Sequence, residues 1–434
     1  MNVSITAGCG RKLRRISVAG LLGTTSLALL VTAAAPAKAD GHDLKSENMK
    51  LQAQVENLAQ EIEILKKMVV ENHNAAAAAT KAAESSKPAR MVTSGKDNVS
   101  LSVSGQVNRM MLYASDGNEA RWFHADNDRS STRVRFKGKA KMDKEWSAGT
   151  NIEVQFESNS TADVTINQEE AALDNNSFTE RKLELFFESK RLGKLSIGQG
   201  DTASNGTSET DLSGTGVISA SDYNVLAKEM DFVLSGTNGT STGDDPGDLF
   251  NNFDGLSRDD RLRYDTPSFG GVKLSASWAD GDKRDIAIRF GREYEGVEVA
   301  AAASYWNQEP SDQQDGYSLS GSIKADMGLS LSLAYAEKDF EALNRNSADF
   351  WWGKLGYQWK GMDVGKTAVS LAYSETEEQD VNNSSGEYWE LAAVQKIDGL
   401  GAELYGMYGQ FDADIPNEPS DEITIGGIGA RIKF

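Results

Sequence analysis

GYSLSGSIKADMGLSLSLAYAE, Gly316 to Glu337, decides the fold. Tyr317, Leu319, Gly321, Ile323 and Ala325 alternate with Ser318, Ser320, Ser322 and Lys324. After Asp326-Met327-Gly328 the alternation resumes, with Leu329, Leu331, Leu333 and Tyr335 set against Ser330 and Ser332. A period of two places each set on its own face of a strand, and the three-residue break makes the pair a tight hairpin. One face is apolar and the other is built of hydroxyls.

Working outward, the same period recurs in VKLSASWAD (Val272 to Asp280) and NVSLSVSGQV (Asn98 to Val107). Roughly sixteen such runs follow one another, near 98–114, 131–142, 146–157, 177–189, 194–200, 258–266, 271–280, 285–294, 297–307, 315–325, 328–338, 349–360, 364–376, 386–397, 401–411 and 423–434. Short turns (Asp143-Lys144-Glu145, Arg191-Leu192-Gly193, Glu295-Gly296) alternate with long polar loops such as Ala114–Ser130 and Asp339–Ala348. An even number of amphipathic strands, with short turns at one rim and long loops at the other, is the pattern of a transmembrane β-barrel. A soluble sandwich has no need of it. In WWGKLGYQW, Trp351 and Trp359 share the apolar face eight positions apart, about 26 Å at about 3.3 Å per residue. That approaches the span between the aromatic girdles of an outer-membrane barrel.

The rest of the chain agrees with export. Of 434 residues, 41 are Gly and 7 are Pro, and the net charge of −20 disfavours nucleic acid. Arg11, Lys12, Arg14 and Arg15, then Val18 to Val31, then Ala37-Lys38-Ala39 read as a signal peptide cleaved before Asp40. Its removal takes away five Lys/Arg and Cys9, leaving a charge of −25 and no cysteine. Leu51, Leu58 and Leu65 alternate with Val55, Ile62 and Val69 at heptad spacing, predicting a coiled coil. β-branched residues at one seam position and Leu at the other lean towards two strands. The expected order is signal peptide 1–39, periplasmic coiled coil 40–74, linker 75–97 and an all-β barrel of about 16 antiparallel strands over 98–434.

From Asn98 onwards the chain resembles the Gram-negative general porins. RKLELFFESKRLGKLSIGQGD (Arg181 to Asp201) is similar to that family's fourth and fifth strands, ending where its third loop folds inward. SRDDRLRYDTPSFGGVKLSASWADGD (Ser257 to Asp282) is similar to its sixth and seventh. The resemblance implies an outer-membrane trimer for passive diffusion of small hydrophilic solutes, and a terminal Phe434 read by the barrel-insertion machinery. The heptads lie outside it.

Parity assigns the lumen. Arg133, Arg135, Lys182, Arg261, Arg263 and Arg289 are expected to line a basic wall at the constriction. Arg181 has the wrong parity and joins them only if its strand bulges. The stretch from Asp201 to Gly255 is far longer than any other connection, which marks it as functional. Folded into the lumen as the porin resemblance implies, it would present Asp222, Glu229 and Asp231 to the wall. His42, His73 and His124 are the only histidines, and no nucleophile–base pair or metal constellation appears, so neither catalysis, a cofactor nor a metal is expected. The expected function is a water-filled channel, with anionic solutes favoured by the wall. Alternatives are a substrate-specific channel, or a structural or adhesive barrel linking outer membrane to cell wall through the coiled coil. GGIGARIKF (Gly426 to Phe434) is expected to close the barrel, with Ile428, Ala430, Ile432 and Phe434 towards lipid.

Overall fold

The computed structural model describes residues 91–93, 98–168, 178–308, 314–340 and 344–434. The signal peptide and the coiled coil lie outside the described residues. Strands β1 (Val99–Ser115), β2 (Ala120–Asp126 with Arg133–Lys141), β3 (Trp146–Phe156), β4 (Phe178–Ser189), β5 (Gly193–Asp201), β6 (Arg258–Asp265), β7 (Val272–Ala279) and β8 (Arg284–Tyr294) make one half. The other half is β9 (Val297–Asn307), β10 (Gln314–Ala325), β11 (Leu329–Phe340), β12 (Ala348–Met362), β13 (Gly365–Glu377), β14 (Ser385–Ile397), β15 (Ala402–Ile415) and β16 (Ile423–Lys433). Each strand pairs antiparallel with the next, and β16 pairs with β1 from Thr424↔Ser115 to Lys433↔Gln106, closing a 16-strand barrel. No edge is left to attract another chain.

Polarity runs opposite to that of a soluble protein. Leu319, Leu331, Leu333 and Leu355 are 44–54% exposed on the outside, whereas Ser318, Ser320, Ser322 and Ser332 inside are at most 4% exposed. The expected girdles are present on the same face. Trp351 packs on Tyr373 at one end of β12, and Tyr357 stacks on Trp359 at the other. Outward aromatics in pairs at two levels fit an apolar band bounded by two interfaces. Among the described residues no helix is long and apolar enough to cross a membrane, so the strands make the crossing.

Three features depart from the sequence pattern. Ala114–Ser130, expected as one long loop, is a short hairpin tip followed by Ala120–Asp126, which pairs with the upper part of β1. The wall then breaks. Asn127 to Thr132 leaves it around a 3-10 turn, Asp128–Ser130, before Arg133–Lys141 pairs with the lower part of β1. Met91–Thr93, inside the expected linker, pairs with Ser100 to Ser102 of β1, in line beyond Phe434. Strand sixteen is therefore composite.

Gly105 marks the join. Its N–H donates to the Phe434 carbonyl at 2.8 Å, and the Phe434 N–H donates back at 3.0 Å. A Cβ on Gly105 would meet the Phe434 ring at 2.6 Å and the Arg133 carbonyl at 2.7 Å. Gly105→Leu is therefore expected to cost about 1–3 kcal/mol, read as a lower urea midpoint in lipid vesicles. Gly321→Leu, whose Cβ would meet nothing nearer than 3.7 Å, should leave that midpoint unchanged.

Candidate functional site

The connection between β5 and β6 runs inside the barrel, and the serines of the inner wall hold it there. Its backbone crosses the strands in order. Ala203 N–H donates to Ser277 Oγ on β7 at 2.8 Å, and Ser204 N–H to Asp285 on β8 at 2.7 Å. Thr207 Oγ1 meets Ser304 on β9 and Ser318 on β10, each at 2.7 Å. Thr210 and Leu212 donate their N–H groups to Ser320 and Ser322, both at 3.0 Å. Thr215 then reaches Ser370 on β13 at 2.9 Å. A buried loop must satisfy every backbone group, and a wall of short hydroxyls does so without filling the lumen.

Two further anchors fix the loop. Lys354, fully buried on β12, donates to Asp211 at 2.9 Å and to the Ser219 carbonyl at 2.7 Å. Burial opposes ionisation of Asp211, but Lys354 and the Ser213 donors hold its carboxyl below the usual range. Further along, Tyr223 stacks on Tyr388 with ring centroids 4.2 Å apart, and Phe232, Phe250 and Phe411 complete an apolar plug. Each such ring contributes about 1.5–3 kcal/mol by leaving water. This plug makes the upper inner face of β12 to β16 apolar (Phe350, Trp352, Phe411, Ile423, Ile425), where parity alone predicts a polar lumen.

What remains open is a cavity of about 740 Å³ between the loop and the arc β2 to β6. Arg133, Arg135, Arg181, Lys182 and Arg258 line it from the wall; Glu209, Asp222 and Asp254 line it from the loop. The wall cations are tolerated side by side because one carboxylate underlies them. Glu153 is 1% exposed and receives Arg135 Nε at 2.6 Å and Arg181 Nε at 2.9 Å, with Arg133 Nη1 at 3.9 Å. Lys182 pairs with Asp201. Arg181 enters the lumen through a register shift: Glu153 faces Lys182 but Val154 faces Glu180, leaving Arg181 as the extra residue of a bulge.

The remaining expected residues do not reach this cavity. Arg261 has inward parity but is sealed, donating to the Gly198 carbonyl at 2.6 Å, the Asp201 carbonyl at 2.9 Å and the buried Glu184. Arg263 caps the Thr202 carbonyl at 2.7 Å and pairs with Asp265 at 2.8 Å. Arg289 donates to the Asn205 carbonyl at 2.6 Å. All three spend their guanidinium on fastening the base of the loop. Glu229 is exposed beside Lys228, 3.6 Å away, and Asp231 lines a separate polar cavity with Asp116 and Glu119. Tyr223, Leu226, Met230 and Phe232 take the inward positions of their segment, which turns these two acids away from the wall.

Sequence reasoning missed Arg129. It sits on the turn that breaks β2 and grips Asp222 through Nε at 2.6 Å and Nη1 at 2.8 Å, tying wall to loop. Asp254, half-buried and close to Glu209, is pushed up to about 7, although Gly206 and Ser208 donate to it.

A family model described as Gram-negative porin matches residues 74–416. Among solved structures the barrel is similar to OmpT of Vibrio cholerae, at 14% identity and a TM-score of 0.52 over 80% of this chain and 100% of that one. It is also similar to an anion-selective porin from Comamonas acidovorans, at 15% identity and 0.53 over 77% and 100%. The outer membrane channel DcaP of Acinetobacter baumannii gives 12% identity and 0.50 over 79% and 99%. At these identities the likeness concerns the fold. No curated protein matches the sequence.

The anchoring of the loop has a measurable consequence. Lys354→Met leaves the sequestered Asp211 without its cation, and loses about 3–5 kcal/mol. The expected readouts are a lower unfolding midpoint and new protease cleavage within 202–257. Adding Asp211→Asn should recover part of the loss.

Proposed function

This chain belongs to the Gram-negative porin family, and we propose that its passage for small hydrophilic solutes runs between the inward-folded loop and the arginine arc. The porin barrel is an outer-membrane channel for passive diffusion. The observation carrying the finer reading is the cavity of about 740 Å³, which has cations on the wall and carboxylates on the loop. On the side of β10 the loop backbone is bonded to Ser320 and Ser322, which leaves the arc to solutes.

Charge is separated across this gap rather than summed to one sign. Glu153 is sunk beneath the guanidiniums, so the wall presents cations to water, and Asp222 is occupied by Arg129. We therefore assign a mild preference for anionic solutes, moderated by Glu209 and Asp254. In planar bilayers with a salt gradient, the reversal potential should indicate an anion-to-cation permeability ratio above one. Replacing Arg133, Arg135 and Arg181 together with Gln should bring it below one. A wild-type preference for cations would contradict this reading.

Assembly completes the proposal. Three copies of the chain form the unit in the outer membrane, the heptad segment projects into the periplasm, and Phe434 is the residue read during insertion. Deleting Phe434 should reduce surface levels several-fold while leaving the conductance of the surviving channels unchanged. Normal surface levels would remove Phe434 from that role. The mass of the unheated protein in detergent tests the trimer.

A further inference from the structure

The turn that breaks β2 brings two carboxyl groups together with no ion-pair partner among the described residues. Asp128 is its first residue and lines the passage; Glu157 follows the end of β3 and is 7% exposed. The Gln155 side-chain amide donates to both, at 2.7 Å to Glu157 Oε2 and 3.4 Å to Asp128 Oδ1. Glu157 Oε1 is buried with no hydrogen-bond partner among the described residues. Among the described residues no Lys or Arg lies within ion-pair distance of either carboxyl. The charged groups around them are Arg181 from β4, Lys228 from the loop, Arg258 from β6 and Asp126 from β2. One amide shared between the buried Glu157 and the half-buried Asp128 cannot stabilise two adjacent carboxylates, and such a pair retains a proton between its members.

We propose that Asp128 and Glu157 share one proton and, through it, set the ion preference of the passage. The proposal rests on the reading of the cavity between loop and arc as the route of permeation. With the proton in place, the pair carries one negative charge against Arg181 and Arg258. Without it the pair carries two, and the wall loses its advantage for anions. The pair also fastens the turn to the segment after β3, where Thr161 N–H donates to the Asp126 carbonyl at 2.9 Å. Burial raises both carboxyls, Glu157 up to about 9, so the proton is held at neutral pH and lost on the alkaline side.

Reversal potentials of the full-length protein in bilayers, taken from pH 6 to pH 10, test this. The anion-to-cation permeability ratio should fall about tenfold with rising pH, since one charge felt through water at about 6 Å disfavours an anion about threefold and favours a cation about threefold. Glu157→Gln and Asp128→Asn should each abolish the fall while migrating as folded barrels on unheated gels. Glu180→Gln, on the cavity wall but outside the pair, should retain it. A conducting wild-type channel whose ratio does not change with pH would overturn the shared proton. So would a full shift surviving in Glu157→Gln. No conductance at any pH would instead overturn the passage itself, and this inference with it.

Discussion

The architecture depends on one constraint: fifty-odd residues of loop can stay inside a barrel only if the wall satisfies their backbone. Ser277 on β7 and Ser320 and Ser322 on β10 do so by accepting the N–H groups of Ala203, Thr210 and Leu212, each hydroxyl small enough to let the chain approach. Larger polar side chains would push the loop out, and apolar ones would leave N–H groups unpaired. The outer face of the same strands carries leucine and aromatic residues for lipid. Period two therefore serves two solvents at once, hydrocarbon outside and a folded peptide inside.

Because the loop lies on β7 to β13, the open arc is confined to β2 to β6, and this is where the cations collect. The fastening and the passage use the same residue type for different ends. Arg261, Arg263 and Arg289 are consumed by carbonyls at the loop base. Arg133, Arg135 and Arg181 surround one sunken carboxylate and keep donors towards the cavity. Arg129 joins the two systems, since its grip on Asp222 sets the distance between wall and loop. Charge in the aperture is thus a by-product of how the loop is held.

Much of this was legible in the sequence. All sixteen runs fall on strands, with ends mostly within one or two residues, because hairpin turns and lipid-facing leucines leave little freedom of register. Three things were not legible, for physical reasons. Ala120–Asp126 carries Trp122 outward and Phe123 inward, so both faces are apolar and the alternation disappears. Arg181 needs a bulge, which parity forbids by construction. Inside the loop no period holds at all, so the apolar content of Ser221 to Phe232 points to a segment that packs inward but not to which of its acids faces the wall: Asp222 does, and Glu229 and Asp231 do not. Parity places the serines on the inner face but does not say that most of their hydroxyls meet a peptide there; only the unusual length of the connection from Asp201 to Gly255 points to it.

The claim on which the rest turns is the location of the route, along the arc and not through the serine-lined side. Cys9 is the only cysteine of the chain, so with Cys9 replaced by Ser single thiols report without background. The direct measurement is block of single-channel conductance by a small anionic methanethiosulfonate at Asn252→Cys, which faces the cavity, and at Ser320→Cys, beneath the loop. Stepwise loss of conductance is expected at Asn252→Cys and none at Ser320→Cys. Block at Ser320→Cys with Asn252→Cys unaffected would place the passage on the opposite side and contradict that claim.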